Sequence, residues 1–273
     1  MFRLVLALTT AKRLSSFDLA TSNINVRGLS QKIRALLRET AQPVAVVTSF
    51  MPGIATTRPH STPSPGSAQP FESIPSTFHG ATLSSFTSIS MAPHHLVSFS
   101  LRVPSRMAMT LADLTSVAPS ESASASESPV HMVINLLAAP QAHAAILFSR
   151  PDLHPRPFED DGVQWSLSRD GLPILHGSLG ALSCRVIGAP WPLNDLVALG
   201  DKMAHKREGT SGSVDVGGVE SELFIAQVIR VEDVPRVENV GYDDRIRTLP
   251  LVYHRRGYTT TADKLRLNQK SDN

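Results

Sequence analysis

The stretch "HGATLSSFTSISMAPHHLVSFSLRVPSR", His79–Arg106, combines the apolar residues of buried strands with an unusual number of hydroxyl side chains. The apolar residues form two runs: Leu83, Phe86, Ile89, Met91 and Leu96, Val97, Phe99, Leu101. A surface loop would lack this apolar content, and a strand that faced only a core would alternate more simply between apolar and polar residues. The stretch therefore predicts strands at 79–89 and 95–102 that form a mostly buried wall and bind a polar ligand.

A helix is predicted directly after these strands, over residues 105–114. Met107, Leu111 and Leu114 recur there at helical spacing, and Ser105 is a favoured N-cap residue. Arg106 falls in the first turn, where the unpaired backbone amides also attract anions. Two interpretations follow: a phosphate site, or a capping serine beside a solvated arginine.

The rest of the chain is rich in short strand-like runs, and helical patterns are fewer. Further strands are predicted at 44–47, 130–136, 172–187, 222–231 and 248–253. Further helices are predicted at 29–37, where Leu29, Ile33, Leu36 and Leu37 form one stripe, and at 140–150. This order favours a β-barrel or sandwich with a few flanking helices over a doubly wound α/β sheet.

Composition excludes several classes of function. The chain has 273 residues, a net charge of +2 and 18% charged residues, which indicates no nucleic-acid surface. Cys184 is the only cysteine, so no internal disulfide forms, and the ten histidines show no helix-spaced pair, so no metal site is expected. The sequence also lacks a G-x-S-x-G hydrolase elbow and a Gly-rich dinucleotide fingerprint, and no segment is long enough to span a membrane.

Segments outside the predicted elements are poor core formers. Loop insertions are predicted at 58–76, 118–129 and 207–218, and a disordered tail at 261–273. Residues 1–28 are rich in Ser, Thr, Lys and Arg and contain a single acid, which is typical of a mitochondrial transit peptide. The alternatives are a disordered start, which implies the cytoplasm, or a secretory signal. Residues 29–260 are expected to form one domain.

Five blocks of the sequence resemble, in order, those of the flavin reductase-like family of FMN-binding split barrels. They are "HGATLSSFTSISMAPHHLVSFSLRVPSRM", "VINLLAAPQAHAAILFSR", "GLPILHGSLGALSCRV", "ELFIAQVIRVED" and "LPLVYHRRGY". The resemblance implies a mainly β fold, a Greek-key split β-barrel with a few flanking helices. It also implies a homodimer that holds FMN, or FAD, near the subunit interface.

The resemblance places flavin contacts on the opening block. Short hydroxyls and backbone amides suit the polar edge of an isoalloxazine ring, and the arginine suits the phosphate. The implied flavin-binding residues are Thr82, Ser84, Ser85, Phe86, Ser100, Arg102, Ser105 and Arg106. No residue is expected to act as an acid or base.

The implied activity is that of an NAD(P)H-dependent flavin reductase, whose reduced flavin goes to oxygen or to a partner monooxygenase. His254 and Tyr258 are candidates for the nicotinamide side, or else belong to a strand packed at an interface. Relatives commonly carry Asp-His and Gly-Glu where this chain has Glu220-Ser221 and Ala226-Gln227. The alternatives are therefore a flavin-binding module without reductase activity, or a split-barrel oxidoreductase with another substrate.

Overall fold

The structure is a computed structural model that describes residues 28–51, 78–116, 129–194, 220–237 and 244–261. The predicted loops 58–76 and 207–218 lie outside these residues, as do almost all of 118–129, the N-terminal segment 1–28 and the tail 261–273.

Thirteen strands and three helices of more than one turn are described. The strands are β1 Gln42–Pro43, β2 Ala45–Phe50, β3 Phe78–Leu83, β4 Thr87–Ser90, β5 Leu96–Val103, β6 Met132–Leu136, β7 Trp165–Leu167, β8 Pro173–Leu175, β9 Gly180–Val186, β10 Trp191–Pro192, β11 Glu220–Glu232, β12 Leu251–His254 and β13 Gly257–Thr260. The helices are α1 at 28–38, α2 Arg106–Ser116 and α3 Ala142–Ser149, and a single helical turn covers Asp244–Arg247.

The main sheet has the strand order β3-β2-β6-β9-β11-β5-β4, with β10 paired to β11. β3 and β4 therefore lie at opposite edges, although only residues 84–86 separate them in the chain. Three residues bridge at most about 15 Å. The sheet must therefore curl until its edges nearly meet, and the link 84–86 lies across the split between them.

The interior of this curled sheet is an apolar cluster, here called the barrel core. It contains Val47, Leu83, Val97, Phe99, Leu101, Met107, Leu111, Met132, Ile134, Cys184, Phe224 and Ala226. Phe99 and Phe224 pair directly across β5 and β11, and their rings stack with centroids 5.5 Å apart. Met107 and Leu111 belong to α2, so this helix packs its apolar face into the barrel core.

A second apolar cluster forms where α3 packs on the other face of β2 and β3. Its buried members include Val44, Val46, Ala145, Phe148 and Leu175. Gly80 permits this approach, because a Cβ atom there would lie 2.6 Å from the Phe148 ring. A larger residue at this position would force α3 away from the sheet.

A small unit comprises the described residues up to Ala41 together with His254–Arg256. Within it, the Arg255 guanidinium binds the Glu39 carboxylate, with Nε 2.8 Å from the oxygen, and the Arg255 amide donates to the Arg38 carbonyl at 3.1 Å. The predicted α1 stripe of Leu29, Ile33, Leu36 and Leu37 is exposed in the described structure.

The mainly β split-barrel fold predicted from the sequence is confirmed. Two predicted strands are each divided: 79–89 breaks at residues 84–86, and 172–187 breaks at 176–179, where Gly177 has a φ of 74°. The sequence patterns missed the short strands β1, β7, β10 and β13, because two to four residues carry too little periodicity to be recognised.

Candidate functional site

The link 84–86 at the barrel split exposes two of the predicted hydroxyls. Ser84 and Ser85 are exposed, whereas Phe86 packs partly against the barrel core and anchors the link. The Ser85 Oγ accepts the Ser100 amide at 2.9 Å and lies 3.2 Å from the Ser100 carbonyl. The structure therefore brings these residues together with Ser100, as the sequence predicts, and leaves the Ser84 hydroxyl open to a ligand.

The side chains of β5 alternate between the barrel core and the opposite face. Phe99 and Leu101 point into the core, so Ser98, Ser100 and Arg102 line the opposite face, here called the outer face. On the neighbouring strand β11, the residues directly opposite them are Ile225, Leu223 and Ser221. Cross-strand partners share a face. The outer face therefore presents hydroxyls, half-buried aliphatic side chains and one arginine.

The first turn of α2 lies at the end of β5 and is capped as predicted. The Ser105 Oγ accepts the Ala108 amide at 3.1 Å, which identifies Ser105 as the N-cap. Arg106 begins the helix and is exposed. An exposed cation at the positive end of a helix is suited to a phosphate group.

A buried histidine behind this helix was not predicted. His79 on β3 is 8% exposed, and its Nε2 has no hydrogen-bond partner. Burial lowers the pKa of His79 from 6.5 to about 4; a hydrogen bond to the Phe50 backbone opposes this shift, and the nearby charge of Arg106 adds to it. In the sequence His79 is one residue of a strand, and no local signal marks it as unpartnered.

Thr82 and Tyr258 meet at a different place. The Thr82 Oγ1 donates to the Ala145 carbonyl of α3 at 2.7 Å, and the Tyr258 hydroxyl donates to the same oxygen at 3.4 Å. Burial raises the pKa of Tyr258. These hydroxyls therefore hold α3 against the sheet, and among the described residues neither is hydrogen-bonded to Ser85 or Ser100. His254 belongs to the small unit.

The two departures from the family pattern lie on the outer face of β11. Ser221 is directly opposite Arg102, and its carbonyl accepts the Leu193 amide at 2.9 Å. The Gln227 Oε1 accepts a hydrogen bond from the Arg185 guanidinium at 2.8 Å. Ser221 thus lies among the predicted site residues, whereas Gln227 lies further along the strand.

A separate cavity is lined by none of the predicted site residues. This cavity of about 1110 Å³ lies at the far end of β11 and is lined by residues that include Gln141, His143, His176 and Arg236. Within the described ranges, no three His, Cys, Asp or Glu residues are arranged to hold a metal ion. The described helices are all too short or too polar to cross a membrane.

The arrangement at the split fits an aromatic ligand that carries a phosphate. Exposed hydroxyls at 84–85 and half-buried Leu223 and Ile225 offer both hydrogen bonds and flat apolar contact, and Arg106 offers a phosphate partner. The donor set therefore fits a flavin nucleotide, whose ring edge is polar and whose ring faces are apolar.

The chain is similar to one protein family and to several solved structures. The model of the "Flavin reductase like domain" family matches residues 37–262. The fold is similar to that of nitrilotriacetate monooxygenase component B from Mycobacterium thermoresistibile, with a TM-score of 0.52 and 18% identity over 90% of this chain and 96% of that one. The flavin reductase component of a bacterial two-component tryptophan halogenase is 20% identical, with a TM-score of 0.47 over 86% of this chain and 99% of the other.

Proposed function

The chain belongs to the flavin reductase-like family, and we propose that it binds FMN at the barrel split and reduces it with NADH or NADPH. The observation that carries this proposal is the exposed link at 84–85, next to a capped helix that begins with Arg106. Among the described residues the Ser84 hydroxyl has no partner, and the Ser85 hydroxyl binds the Ser100 backbone. When bound, FMN supplies N5, which accepts hydride from C4 of the nicotinamide.

The protein's own residues bind and orient the flavin. The Ser84 hydroxyl and the backbone of 84–86 would serve the polar edge of the ring, and Ser100 on the outer face would line its binding site. The first turn of α2 and Arg106 would hold the 5'-phosphate. Thr82, whose hydroxyl already binds Ala145, supports the link from behind.

No proton-transferring side chain is required at this site. Hydride transfer needs close stacking, orientation and exclusion of water, and these follow from the shape of the site. Because the sequence contains no dinucleotide fingerprint, the nicotinamide must stack on the flavin itself. The candidacy of His254 and Tyr258 for its other contacts rests on the sequence resemblance alone, because the Tyr258 hydroxyl is held by the Ala145 carbonyl.

We further propose a homodimer and a partner monooxygenase. Leu193 and Ile187 are 39% and 43% exposed and lie beside the outer face, so a second copy would cover apolar surface there. Nitrilotriacetate monooxygenase component B is, by its name, one component of a monooxygenase system. A partner enzyme that uses reduced flavin would be the corresponding consumer here.

A flavin-binding module without reductase activity is the second candidate. It is favoured by Ser221, which stands where relatives carry a histidine, and by Gln227, which binds Arg185. In a reductase, Ser221→His should leave activity intact or raise it. A collapse of activity in this variant would show that the pocket is organised differently from that of its relatives.

Anaerobic reduction distinguishes the two candidates. The FMN-loaded full chain is mixed with excess NADH or NADPH, and the yellow flavin absorbance is followed with time. A reductase bleaches, and it does so faster than free FMN under the same conditions. Bound FMN that stays oxidised through minutes of exposure to both nicotinamides would overturn the reductase assignment in favour of the binding module.

We propose mitochondrial targeting by residues 1–28, with the cytoplasm as the alternative. A fluorescent protein fused behind residues 1–30 should enter mitochondria. Exchanging the four basic residues of this segment for Gln should leave the fusion in the cytosol; they are Arg3, Lys12, Arg13 and Arg27. A cytosolic signal from the unaltered fusion would contradict this proposal.

A further inference from the structure

Arg102 is a cation on the outer face, and the proposed flavin site assigns no anionic group to it. It is exposed, and within the described residues its guanidinium has no hydrogen-bond or ion-pair partner. Arg185, which also lies along this side of the sheet, instead donates to the Gln227 side-chain oxygen Oε1 at 2.8 Å. The guanidinium of Arg185 therefore has a hydrogen-bond partner within the protein, whereas that of Arg102 has none among the described residues.

The surroundings of Arg102 favour an anion. Ser221 lies directly opposite on β11, and Ser100 lies two residues away on the same face. The nearest carboxylates in sequence are Glu220 and Glu222, which alternate with Ser221 and so point to the other face of the sheet. Glu220 also accepts a hydrogen bond from Asn194 at 2.9 Å. An unpaired guanidinium with hydroxyls beside it suits a phosphate oxygen.

The charges of FMN do not require Arg102. FMN carries its negative charge on a single phosphate, which the proposed site assigns to Arg106 and the first turn of α2. The oxidised ring and the ribityl chain are neutral. A second anionic group must therefore come from the second substrate, and the nicotinamide dinucleotides carry a pyrophosphate.

We infer that Arg102, with Ser221 opposite it, binds the pyrophosphate of the nicotinamide dinucleotide. In this inference Arg102 does not bind the flavin. The inference rests on the proposed function, because it assumes flavin at the split. It makes Arg102 a substrate-positioning residue and gives this chain its own means of binding the reductant on the outer face.

The test uses the FMN-loaded full chain and ADP-ribose, which has the pyrophosphate but no nicotinamide and so reports binding without reduction. Arg102→Ala should weaken ADP-ribose binding by roughly ten- to a hundredfold, since a charge-assisted contact is lost. It should raise KM for NADH by the same factor, change kcat by less than about threefold and leave FMN affinity unchanged. Arg102→Lys should restore part of the affinity, and Arg185→Ala, the matched control, should leave it unchanged.

The dependence on salt provides a second measurement. ADP-ribose affinity of the unaltered protein should fall as the salt concentration rises, and this slope should be shallower in Arg102→Ala. Arg102→Gln serves as an additional variant, because it removes the charge and keeps a polar side chain that can donate a hydrogen bond.

Three results would overturn the inference, and they differ from a failure of the proposed function. The first is equal ADP-ribose affinity in all variants, and the second is a loss of FMN affinity in Arg102→Ala. The third is a lower flavin midpoint potential in Arg102→Ala with unchanged ADP-ribose affinity, which would place Arg102 beside the flavin ring. If the unaltered chain takes up no FMN, the proposed function itself fails.

Discussion

Polar side chains occupy two regions of the same curled sheet, and the protein completes the hydrogen bonds of only one of them. In the middle of the sheet, Asn135 is fully buried, accepts the Leu175 amide at 2.8 Å and donates to the Val46 carbonyl at 3.2 Å. Buried Thr48 donates to the Pro173 carbonyl at 2.7 Å. At the split, Ser84 and Ser85 are exposed, and the Ser84 hydroxyl has no partner among the described residues.

The difference separates structural polar groups from available ones. The central group is closed, because each side chain is matched to a backbone atom that water cannot reach. The hydroxyl group of Ser84 at the split is open to a ligand. Ser84 and Ser85 lie near the start of α2 and near Arg102 and Arg106, two arginines that have no partner among the described residues. Substitutions in the central region should therefore change stability, and substitutions at the split should change ligand affinity.

The largest expected effect is on stability and comes from the closed region. Asn135→Leu leaves the buried Leu175 amide without its partner and removes the side-chain hydrogen bond to the Val46 carbonyl, which together should lower the free energy of unfolding by about 2 to 4 kcal/mol. Urea denaturation measures this change. Ser84→Ala is the control, and a loss of similar size there would contradict the division between the two regions.

A second effect on stability comes from His79 and appears only in acid. Because burial lowers the pKa of folded His79 to about 4, the unfolded chain binds the proton first as the pH falls below about 6.5. Stability should therefore be constant above that pH and fall by up to about 3 kcal/mol towards pH 4. His79→Gln should make this part of the profile shallower, and exposed His94→Gln should not. Burial also lowers the pKa values of His131 and His176, so these two residues should cause the slope that remains. An unchanged slope in His79→Gln would show that other groups cause it.

At the split, Arg106→Ala should change affinity and not stability. Loss of a charge-assisted phosphate contact costs about 1.5 to 3 kcal/mol, so FMN should bind roughly ten- to a hundredfold more weakly. Riboflavin, which has no phosphate, should bind as before, and calorimetric titration measures both ligands. Exposed Arg156, which pairs with Glu159, provides the control Arg156→Ala. Equal losses for both flavins would make Arg106 structural.

The smallest expected effect is that of Ser85→Ala. The Ser85 hydroxyl orders the link by binding the backbone of Ser100, and a neutral hydrogen bond contributes about 0.5 to 1.5 kcal/mol. FMN and riboflavin should both bind roughly two- to tenfold more weakly. Ser90→Ala removes an exposed hydroxyl that binds the Ala92 carbonyl, and it should leave both affinities unchanged. A selective loss of FMN in Ser85→Ala would contradict a role at the ring.

Local signals were sufficient to predict the open region. The hydroxyl-rich run, the apolar strands around it and the Ser105 cap are all contained within His79–Arg106, and the structure has β3, β5 and the start of α2 there. What the sequence did not show is that β3 and β4 lie at opposite edges of the sheet, because strand pairing over long separations leaves no local periodicity.

The closed region was not predicted at all, for the same reason. Asn135 lies in a run expected to be a strand, but its partners Val46 and Leu175 come from strands far away in the chain. The unpartnered Nε2 of His79 likewise depends on how α2 and β2 surround it. The position of Thr82, turned towards α3, was also decided by packing at a distance.

Flavin uptake by the purified full chain tests the central claim most directly. We expect the chain to bind FMN with one-to-one stoichiometry, with loss of binding when Ser84, Ser85 and Arg106 are all changed to Ala, and with urea stability of that triple variant close to the original. Heat release followed by chromatography identifies the ligand. A folded chain that neither carries flavin nor alters FMN fluorescence at micromolar concentration would contradict the account.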